Sequence, residues 1–407
     1  MEIQRSNYME RIRRFYDSSL IKVLTGVRRC GKSVLLRQIQ NDLLECGITG
    51  KDHIIAVDFE DLRFVKLRNY LKLNDYLLNL MTDDGKYYIF LDEIQHARQF
   101  ERVLSSLKAT RNVSIFVTGS NSKLLSGRLA TLLVGRCKEF KIRPFSYNEF
   151  LQYLVKNNKP MPTNPMQNYL RYGGMPQRLD YDSEEDIKAY LKDVYNGIVE
   201  KDICGSNSKI DKESFLRISN YILSNAGKDF SAESVADYFN KANLDKVYRK
   251  DVYRYLDKME QACLISRAKR FDIPSKRNLK TVKKHFAIDP GFILAASDSN
   301  RLFPSRALEN VVYNELLLRG YDVKIGKTYK GEIDFVAMKD GKKCFIQVAF
   351  MLSDEEVLNR EFGAFSPIKD FSPKYVLSLD EFDYSQNGII HINVEDWLNG
   401  KANIAVV

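Results

Sequence analysis

Short runs of apolar residues alternate with helical patterns along the first 145 residues. The runs are Leu20–Leu24, His53–Phe59, Tyr87–Leu91, Val113–Val117 and the more polar Cys137–Ile142. Between them, apolar residues recur at helical spacing. Strands that alternate with helices are typical of a parallel sheet with helices on both faces. The pattern therefore predicts an α/β domain over residues 1–145.

The pattern changes twice further along the chain. From about Pro144 to Cys263 the strand-like runs disappear, and segments such as Tyr147–Lys156 and Glu185–Asp202 carry apolar residues at helical spacing, which predicts a helical connector or lid over residues 146–211. After Leu264 strand-like runs return. They are Phe286–Ile288, Tyr321–Ile325, Ile333–Met338, Cys344–Phe350 and Tyr375–Ser378, with the helical pattern Arg306–Arg319 before most of them. Residues 286–407 are therefore predicted to form an α+β domain.

Composition excludes several classes of protein. With 44% hydrophobic and 29% charged residues, the 407-residue chain has the composition of a folded protein, which excludes a disordered or low-complexity one. No apolar run approaches the roughly 18 residues of a membrane helix, and no apolar stretch follows the charged amino terminus, so neither a membrane span nor a secretory signal is expected. The six cysteines are scattered without a Cys-x-x-Cys pair, which favours a cytoplasmic protein without disulfides or structural zinc.

The strongest chemical signal is a glycine-rich phosphate loop (P-loop). Residues 26–33 read Gly-Val-Arg-Arg-Cys-Gly-Lys-Ser and fit G-x-x-x-x-G-K-[ST], with a strand pattern before and a helix pattern after. In such a loop, backbone N–H groups and the helix amino terminus bind phosphates, the lysine reaches the β- and γ-phosphates, and the serine hydroxyl binds Mg²⁺. We therefore predict a nucleoside triphosphate site. Its residues are Gly26, Val27, Arg28, Arg29, Cys30, Gly31, Lys32, Ser33 and Val34.

The second half of a triphosphate site is a strand that ends in a carboxylate. The run Tyr87-Tyr-Ile-Phe-Leu is followed directly by Asp92 and Glu93. Ligands of open α/β sheets bind at the carboxyl ends of strands, so Asp92 is expected to hold Mg²⁺ and Glu93 to polarise the attacking water. The alternative is a strand that ends in solvated acids.

Polar and basic residues follow the next predicted strand. The run Val113–Val117 leads into Thr118-Gly-Ser-Asn121, and Asn121 is a candidate for sensing the γ-phosphate. The alternative is a helix amino-terminal cap, which is compatible with that role. Further along, Arg128 and Arg136 are candidates for an arginine finger that acts on a neighbouring subunit, which requires a homo-oligomer. The alternative for each arginine is a solvated surface side chain.

Together these residues resemble the AAA+ superfamily of P-loop ATPases, and in particular a bacterial and archaeal group of predicted ATPases with a nuclease-like carboxyl-terminal domain. The resemblance spans nearly the whole chain. It is carried by residues 25–33, Phe90-Leu-Asp-Glu-Ile-Gln, Thr118-Gly-Ser-Asn-Ser-Lys-Leu-Leu-Ser-Gly, Leu133-Val-Gly-Arg-Cys, Pro144-Phe-Ser-Tyr-Asn-Glu-Phe-Leu, Tyr172-Gly-Gly-Met-Pro and the stretch from Ser366 to Asp380. The resemblance implies sheet order 5-1-4-3-2 and hydrolysis of ATP.

Residues 212–285 show the pattern of a winged helix. Three helical segments, Phe215–Leu223, Ala232–Asn240 (capped by Ser231) and Lys250–Cys263, precede a strand, Leu264–Phe271, that would begin a wing. The stretch Arg267–Lys284, which begins inside this strand, is strongly basic. It contains eight basic residues and a single acidic one, Asp272, and it carries most of the chain's net charge of +10. Such a wing is expected to contact the phosphates of DNA or RNA. Its basic residues are Arg267, Lys269, Arg270, Lys276, Arg277, Lys280, Lys283 and Lys284.

Two alternatives remain for this basic stretch. The hairpin is either merely solvated, or the winged helix contacts another protein. Neither alternative affects the prediction of the nucleotide site.

The carboxyl-terminal part resembles the PD-(D/E)XK nucleases. A helix acid (Glu309), a strand acid (Asp334) and Gln347 on the next strand occupy the positions of that pattern. Gln347 replaces an acid that would bind Mg²⁺, and Ala349 replaces the lysine. Nothing in the sequence indicates that Lys343 or Lys327 replaces it, so the domain is expected to be a degenerate nuclease.

The sequence therefore predicts a Mg²⁺-dependent ATPase that switches or moves an assembly associated with nucleic acid or protein. Two alternatives remain open. One is an ATP-gated DNA nuclease, and the other is a DNA-binding adaptor that hydrolyses ATP slowly.

Overall fold

The computed structural model describes residues 2–119, 135–205, 210–242, 246–297 and 303–406. The chain divides into two compact units. The first contains residues 1–143 and 261–263, and the second contains residues 144–260 and 264–407.

The first unit is built on a parallel sheet whose described strands lie in the order β2-β3-β4-β1-β5. The strands are β1 (Ile21–Gly26), β2 (Ile54–Asp58), β3 (Tyr87–Asp92), β4 (Val113–Gly119) and β5 (Cys137–Ile142). Every neighbouring pair is parallel. Read from the other edge, this is the predicted order 5-1-4-3-2, which is confirmed. All six residues of β1 are buried, as expected for a central strand covered on both faces.

Helices cover this sheet. They are α1 (Ser6–Arg13), α2 (Lys32–Glu45), α3 (Tyr70–Leu80) and α4 (Phe100–Thr110), with short 3-10 segments at 51–53, 62–68 and 94–96. The apolar stripes of α3 and α4 pack on one face of the sheet, where Leu77 and Leu107 join Val23 and Leu91 in a buried cluster. This packing holds the carboxyl ends of the strands in fixed positions.

The second part of the chain contains further helices, and several of them begin at a capping side chain. They are α5 (Tyr147–Lys156), α6 (Pro165–Tyr172), α7 (Glu184–Ile198), α8 (Lys212–Ser224), α9 (Ala232–Lys241), α10 (Arg249–Gln261), α11 (Pro290–Ala295), α12 (Pro304–Leu318), α13 (Glu355–Gly363) and α14 (Val394–Leu398). Ser231 caps α9 by accepting the Ser234 N–H at 2.9 Å, as predicted. Among the described helices, none has the length and apolar composition required to cross a membrane.

The second unit contains a mixed sheet in the order β12-β11-β10-β9-β8-β6-β7. Its strands are β6 (Ile265–Asp272), β7 (Arg277–Ala287), β8 (Asp322–Lys327), β9 (Glu332–Lys339), β10 (Lys342–Val348), β11 (Lys374–Ser378) and β12 (Ile389–Asn393). The basic β6–β7 hairpin joins this sheet because β6 pairs in parallel with β8. The domain boundary predicted between residues 285 and 286 falls inside β7.

The paired glycines after α6 fit a crowded turn in the second unit. Gly173 has φ +71°, and a Cβ on it would lie 1.8 Å from Asp289 Oδ1. The Asp289 carboxylate accepts the Gly174 N–H at 2.7 Å and the Gly291 N–H at 2.8 Å. Burial raises the pKa of Asp289 to about 6.

Candidate functional site

The P-loop connects the end of β1 to the start of α2. Gly26 packs against the end of β5, where a Cβ would lie 2.2 Å from the Ile142 carbonyl oxygen. Gly31, with φ +99°, directly precedes α2 in a conformation that side chains strongly disfavour. In the described part of the chain, no side chain caps the amino terminus of α2. Backbone donors and a helix dipole at such a helix start are groups that bind anions in proteins.

Lys32 places a buried ammonium group inside this loop. Its Nζ donates to the carbonyl oxygens of Gly26 at 3.2 Å and Val27 at 3.3 Å. The same Nζ lies 3.6 Å from Glu93 Oε1. The first residue of α2 thus joins the loop to the acidic end of β3.

The two acids after β3 are held by a threonine at the end of β4. The Thr118 hydroxyl donates to Asp92 and accepts the Glu93 N–H at 2.9 Å. Glu93 itself has φ 51°, in the left-handed region, and its carboxylate accepts a hydrogen bond from Gln95. Burial raises the pKa of Asp92, while hydrogen bonds from Ser33 and Thr118 act in the opposite direction.

The structure brings most of the predicted nucleotide-site residues together. Residues 26–34 lie at the carboxyl edge of the sheet with Asp92 and Glu93. Arg136 is exposed and precedes β5, at the opposite edge, where its carbonyl accepts the Ile21 N–H at 2.8 Å. Asn121 and Arg128 lie outside the described residues. Sequence reasoning placed Thr118 in a polar cluster but did not single it out, although its position at the end of β4 was a usable signal.

Comparisons with known proteins agree with this geometry. Residues 18–151 match the family model described as an AAA domain. An uncharacterized protein of Haemophilus influenzae is 32% identical over 400 residues, which cover 97% of this chain and 98% of the relative. The chain belongs to the AAA+ P-loop ATPases.

Other matches extend over more of this AAA+ protein. Residues 164–302 match a domain of unknown function, DUF8612. An uncharacterized protein of Methanocaldococcus jannaschii is 29% identical over 389 residues, which cover 92% of this chain and 85% of the relative. A solved Walker-type ATPase of Pyrococcus abyssi has a TM-score of 0.50 at 16% identity, covering 72% of this chain and 96% of that one, and the likeness is one of fold.

Three of the basic residues predicted to contact nucleic acid are bound to acids within the AAA+ protein's second unit. Arg267 pairs with Asp257 at 2.9 Å and with Glu260, and Arg270 pairs with Glu332 at 2.8 Å and with Asp229. Lys284 is also paired, as described below. The side chain of Lys280 lies outside the description. The exposed candidates among the described side chains are Lys269, Lys276, Arg277 and Lys283.

The three residues of the predicted degenerate nuclease site line one cleft of about 540 Å³. Glu309 comes from α12, Asp334 from β9 and Gln347 from β10. Gln347 Oε1 accepts the Asp334 N–H at 2.7 Å, and its Nε2 donates to Glu361 Oε2 at 2.9 Å. The Val348 N–H donates to Asp334 Oδ2 at 2.8 Å. Gln347 therefore links the backbone of Asp334 to the carboxylate of Glu361.

A lysine of the basic hairpin pairs with two acids that line the cleft, a contact that the sequence did not indicate. Lys284, 5% exposed, lies with its Nζ 2.6 Å from Glu309 Oε1 and 3.0 Å from Glu332 Oε1. Burial opposes its charge, yet Glu309, Asp334 and Glu332 together hold its pKa above the usual value. Of the two lysines weighed from the sequence, Lys343 instead binds Asp370 at 2.5 Å.

In the described ranges of the chain, no group of three or more His, Cys, Asp or Glu side chains is placed to hold a metal ion. Burial and the neighbouring charge of Glu309 raise the pKa of Asp334. The cations that line the cleft are Arg306, Lys330 and Arg360, and Lys284 pairs with two of its acids, Glu309 and Glu332.

Proposed function

We propose that this chain binds ATP and hydrolyses it with Mg²⁺. The observation that carries the proposal is the convergence of Lys32, Asp92, Glu93 and Thr118 at the carboxyl edge of the parallel sheet. A fixed cation, two acids and an uncapped helix amino terminus are the groups that phosphoryl transfer requires at one place.

The donor set fits a magnesium ion. The Asp92 carboxylate and the Ser33 hydroxyl are hydrogen-bonded to each other, and both present the oxygen ligands that Mg²⁺ prefers. When bound, the ion neutralises phosphate charge as the γ-phosphate is transferred. In this proposal Lys32 holds the phosphates and Glu93 orients and polarises the attacking water.

Two variants test the proposal. Lys32→Ala removes the cation inside the loop, so nucleotide binding should be lost. Glu93→Gln keeps the shape but removes the base, so ATP should still bind while the hydrolysis rate falls by about 10²–10⁴-fold. Glu45→Gln, an exposed acid at the far end of α2, is the matched control. Hydrolysis by Glu93→Gln at the wild-type rate would contradict the assignment.

We further propose that ATP turnover switches or moves an assembly associated with nucleic acid or protein. In this proposal residues 146–211 form a helical connector and residues 212–285 a winged helix. The exposed basic side chains of the β6–β7 hairpin support nucleic acid as one partner, and an arginine finger at Arg128 or Arg136 would require a homo-oligomer. The test is the ATPase rate with single-stranded DNA, duplex DNA and RNA added in turn. A rate unchanged by all three favours a protein partner.

The carboxyl-terminal cleft is the candidate site for a second function, cleavage of nucleic acid. We propose that it does not cleave nucleic acid. The Lys284 ammonium already pairs with Glu309 and Glu332, two acids of its lining, and Gln347 places an amide where the nuclease pattern has an acid. The test is cleavage of plasmid DNA with Mg²⁺ or Mn²⁺, with and without ATP. Cleavage by the wild type that is abolished by Asp334→Ala would establish the ATP-gated nuclease instead.

A further inference from the structure

A buried arginine near the amino terminus contacts the P-loop from outside. Arg5 is 1% exposed. Its Nη1 donates to the carbonyl oxygen of Cys30 at 3.2 Å, and its Nη2 donates to the carbonyl oxygen of Arg143 at 2.9 Å. The planar guanidinium group suits such a bridge because its donors have fixed directions. Arg5 thus joins the P-loop to the residue that follows β5.

The bond to Cys30 has a consequence for the next residue. In a planar trans peptide, the C=O of one residue and the N–H of the next point in opposite directions. Arg5 holds the Cys30 carbonyl, and this also directs the Gly31 N–H away from Arg5. Gly31, at φ +99°, has wide conformational freedom as a glycine, so an external restraint is needed to keep this N–H in one direction.

Arg5 is itself held in place by α2. Its backbone N–H donates to Gln38 Oε1 at 3.1 Å, and Gln38 Nε2 donates to the Ile3 carbonyl oxygen at 2.6 Å. The guanidinium also lies over the ring of Tyr8, 4.9 Å from its centroid. The amino-terminal segment is therefore a rigid support for the loop, because each end of the arginine is bonded to the first unit.

We propose that Arg5 is a positioning residue for the nucleotide polyphosphate. It fixes the Cys30–Gly31 peptide, and the Gly31 N–H is thereby held ready to donate to a phosphate oxygen. This inference rests on the proposed ATP site and adds a residue from outside the motif. It predicts that Arg5 affects affinity through the phosphates and leaves recognition of the nucleoside unchanged.

The test compares affinities for ATP, ADP and AMP by fluorescence titration of labelled nucleotides with Arg5→Met, Arg5→Lys and Arg13→Met. Arg13 is the matched control because it lies in the same segment and binds Asp42 on α2, with its Nε 2.9 Å from Asp42 Oδ2, and makes no hydrogen bond to the loop in the described structure. Arg5→Met should weaken ATP and ADP by about 10- to 100-fold and AMP much less. Arg5→Lys should recover part of the loss, and Arg13→Met should lower the melting temperature without changing these ratios.

The outcomes separate this inference from the proposed function. A wild type that binds neither ATP nor ADP overturns the ATP site itself. A wild type that binds both, with Arg5→Met unchanged in the ratio of ADP to AMP affinity, overturns the role of Arg5 alone. If Arg5→Met does not fold, Arg5→Lys decides, since it keeps a buried cation, and an unchanged ratio in that variant likewise overturns the inference.

Discussion

Thr118→Val tests how the site holds its two acids. Valine keeps the branched shape of threonine and removes the hydroxyl that donates to Asp92 and accepts the Glu93 N–H at 2.9 Å. Thr118 is fully buried, at 0% exposure, and its bond to the Glu93 N–H is buried, so water cannot replace that bond, whereas its bond to Asp92 is partly buried. The variant leaves one half-buried acceptor and one buried donor without this partner.

The structure gives the size of the effect. A buried polar group left unsatisfied costs roughly 1–3 kcal/mol, so loss of the buried bond to the Glu93 N–H should lower the free energy of unfolding by about 1–3 kcal/mol, and half-buried Asp92 should add less. Because the left-handed backbone of Glu93 also loses the bond at its N–H, we expect its carboxylate to shift. A displacement near 1 Å in a catalytic group costs on the order of 10²-fold in rate, and kcat should fall by about 10- to 100-fold.

The pH dependence has a definite sign. Burial raises the pKa of Asp92, and the Thr118 hydrogen bond lowers it. Removing that bond raises the pKa further, so the carboxylate needed for Mg²⁺ is protonated at a higher pH. The acidic limb of the ATPase profile should therefore move to higher pH in Thr118→Val, and more Mg²⁺ should be needed there.

The assays are urea denaturation and the ATPase rate as a function of pH and Mg²⁺. Thr118→Ser, which keeps the hydroxyl, should retain the wild-type profile. Thr110→Val removes a hydroxyl that donates to the Ser106 carbonyl oxygen on the exposed end of α4, and it controls for the substitution itself. If Thr118→Val keeps the wild-type kcat and acidic limb, the assignment of Thr118 as the support of both acids is wrong.

Three further predictions concern the second unit. Lys284→Met leaves buried Glu309 beside Glu332 without its cation, so urea denaturation should show that the free energy of unfolding falls by about 3–5 kcal/mol. Adding Glu309→Gln should recover part of this loss. A Lys284→Met variant as stable as the wild type would show that the pair is not stabilising. The pKa of Asp289 is raised to about 6, so its protonated form stabilises the fold. This contribution to the free energy of unfolding is present below about pH 4 and is lost as pH rises through 6, a change of about 3 kcal/mol. The change should be absent in Asp289→Asn. If the four exposed hairpin cations contact four phosphates, the log–log salt slope of duplex DNA affinity should be roughly −3 to −4, and no binding at 50 mM salt would exclude this surface. The variant for this titration replaces Lys269, Lys276, Arg277 and Lys283 by alanine.

The sequence by itself located the proposed nucleotide site because the main parts of that site are local. Gly26 to Ser33 form one turn between a strand and a helix, and Asp92 and Glu93 directly follow an apolar run. A turn conformation and a strand end depend on residues a few positions apart, so a single sequence specifies them. The strand order is different, since it came from the resemblance to AAA+ proteins and not from spacing.

Tertiary structure alone decided which charged and polar groups bind each other. Arg5 reaches Arg143 across 138 positions, and Lys284 reaches Glu332 across 48, with no local pattern to mark either contact. The sequence shows Lys284 as one more cation in a basic run, and only the pairing of β6 with β8 brings that hairpin to the carboxylates of the cleft. A sequence alone does not distinguish one basic side chain from another. In the folded protein, burial and distance decide which of them are paired and which remain exposed to a partner.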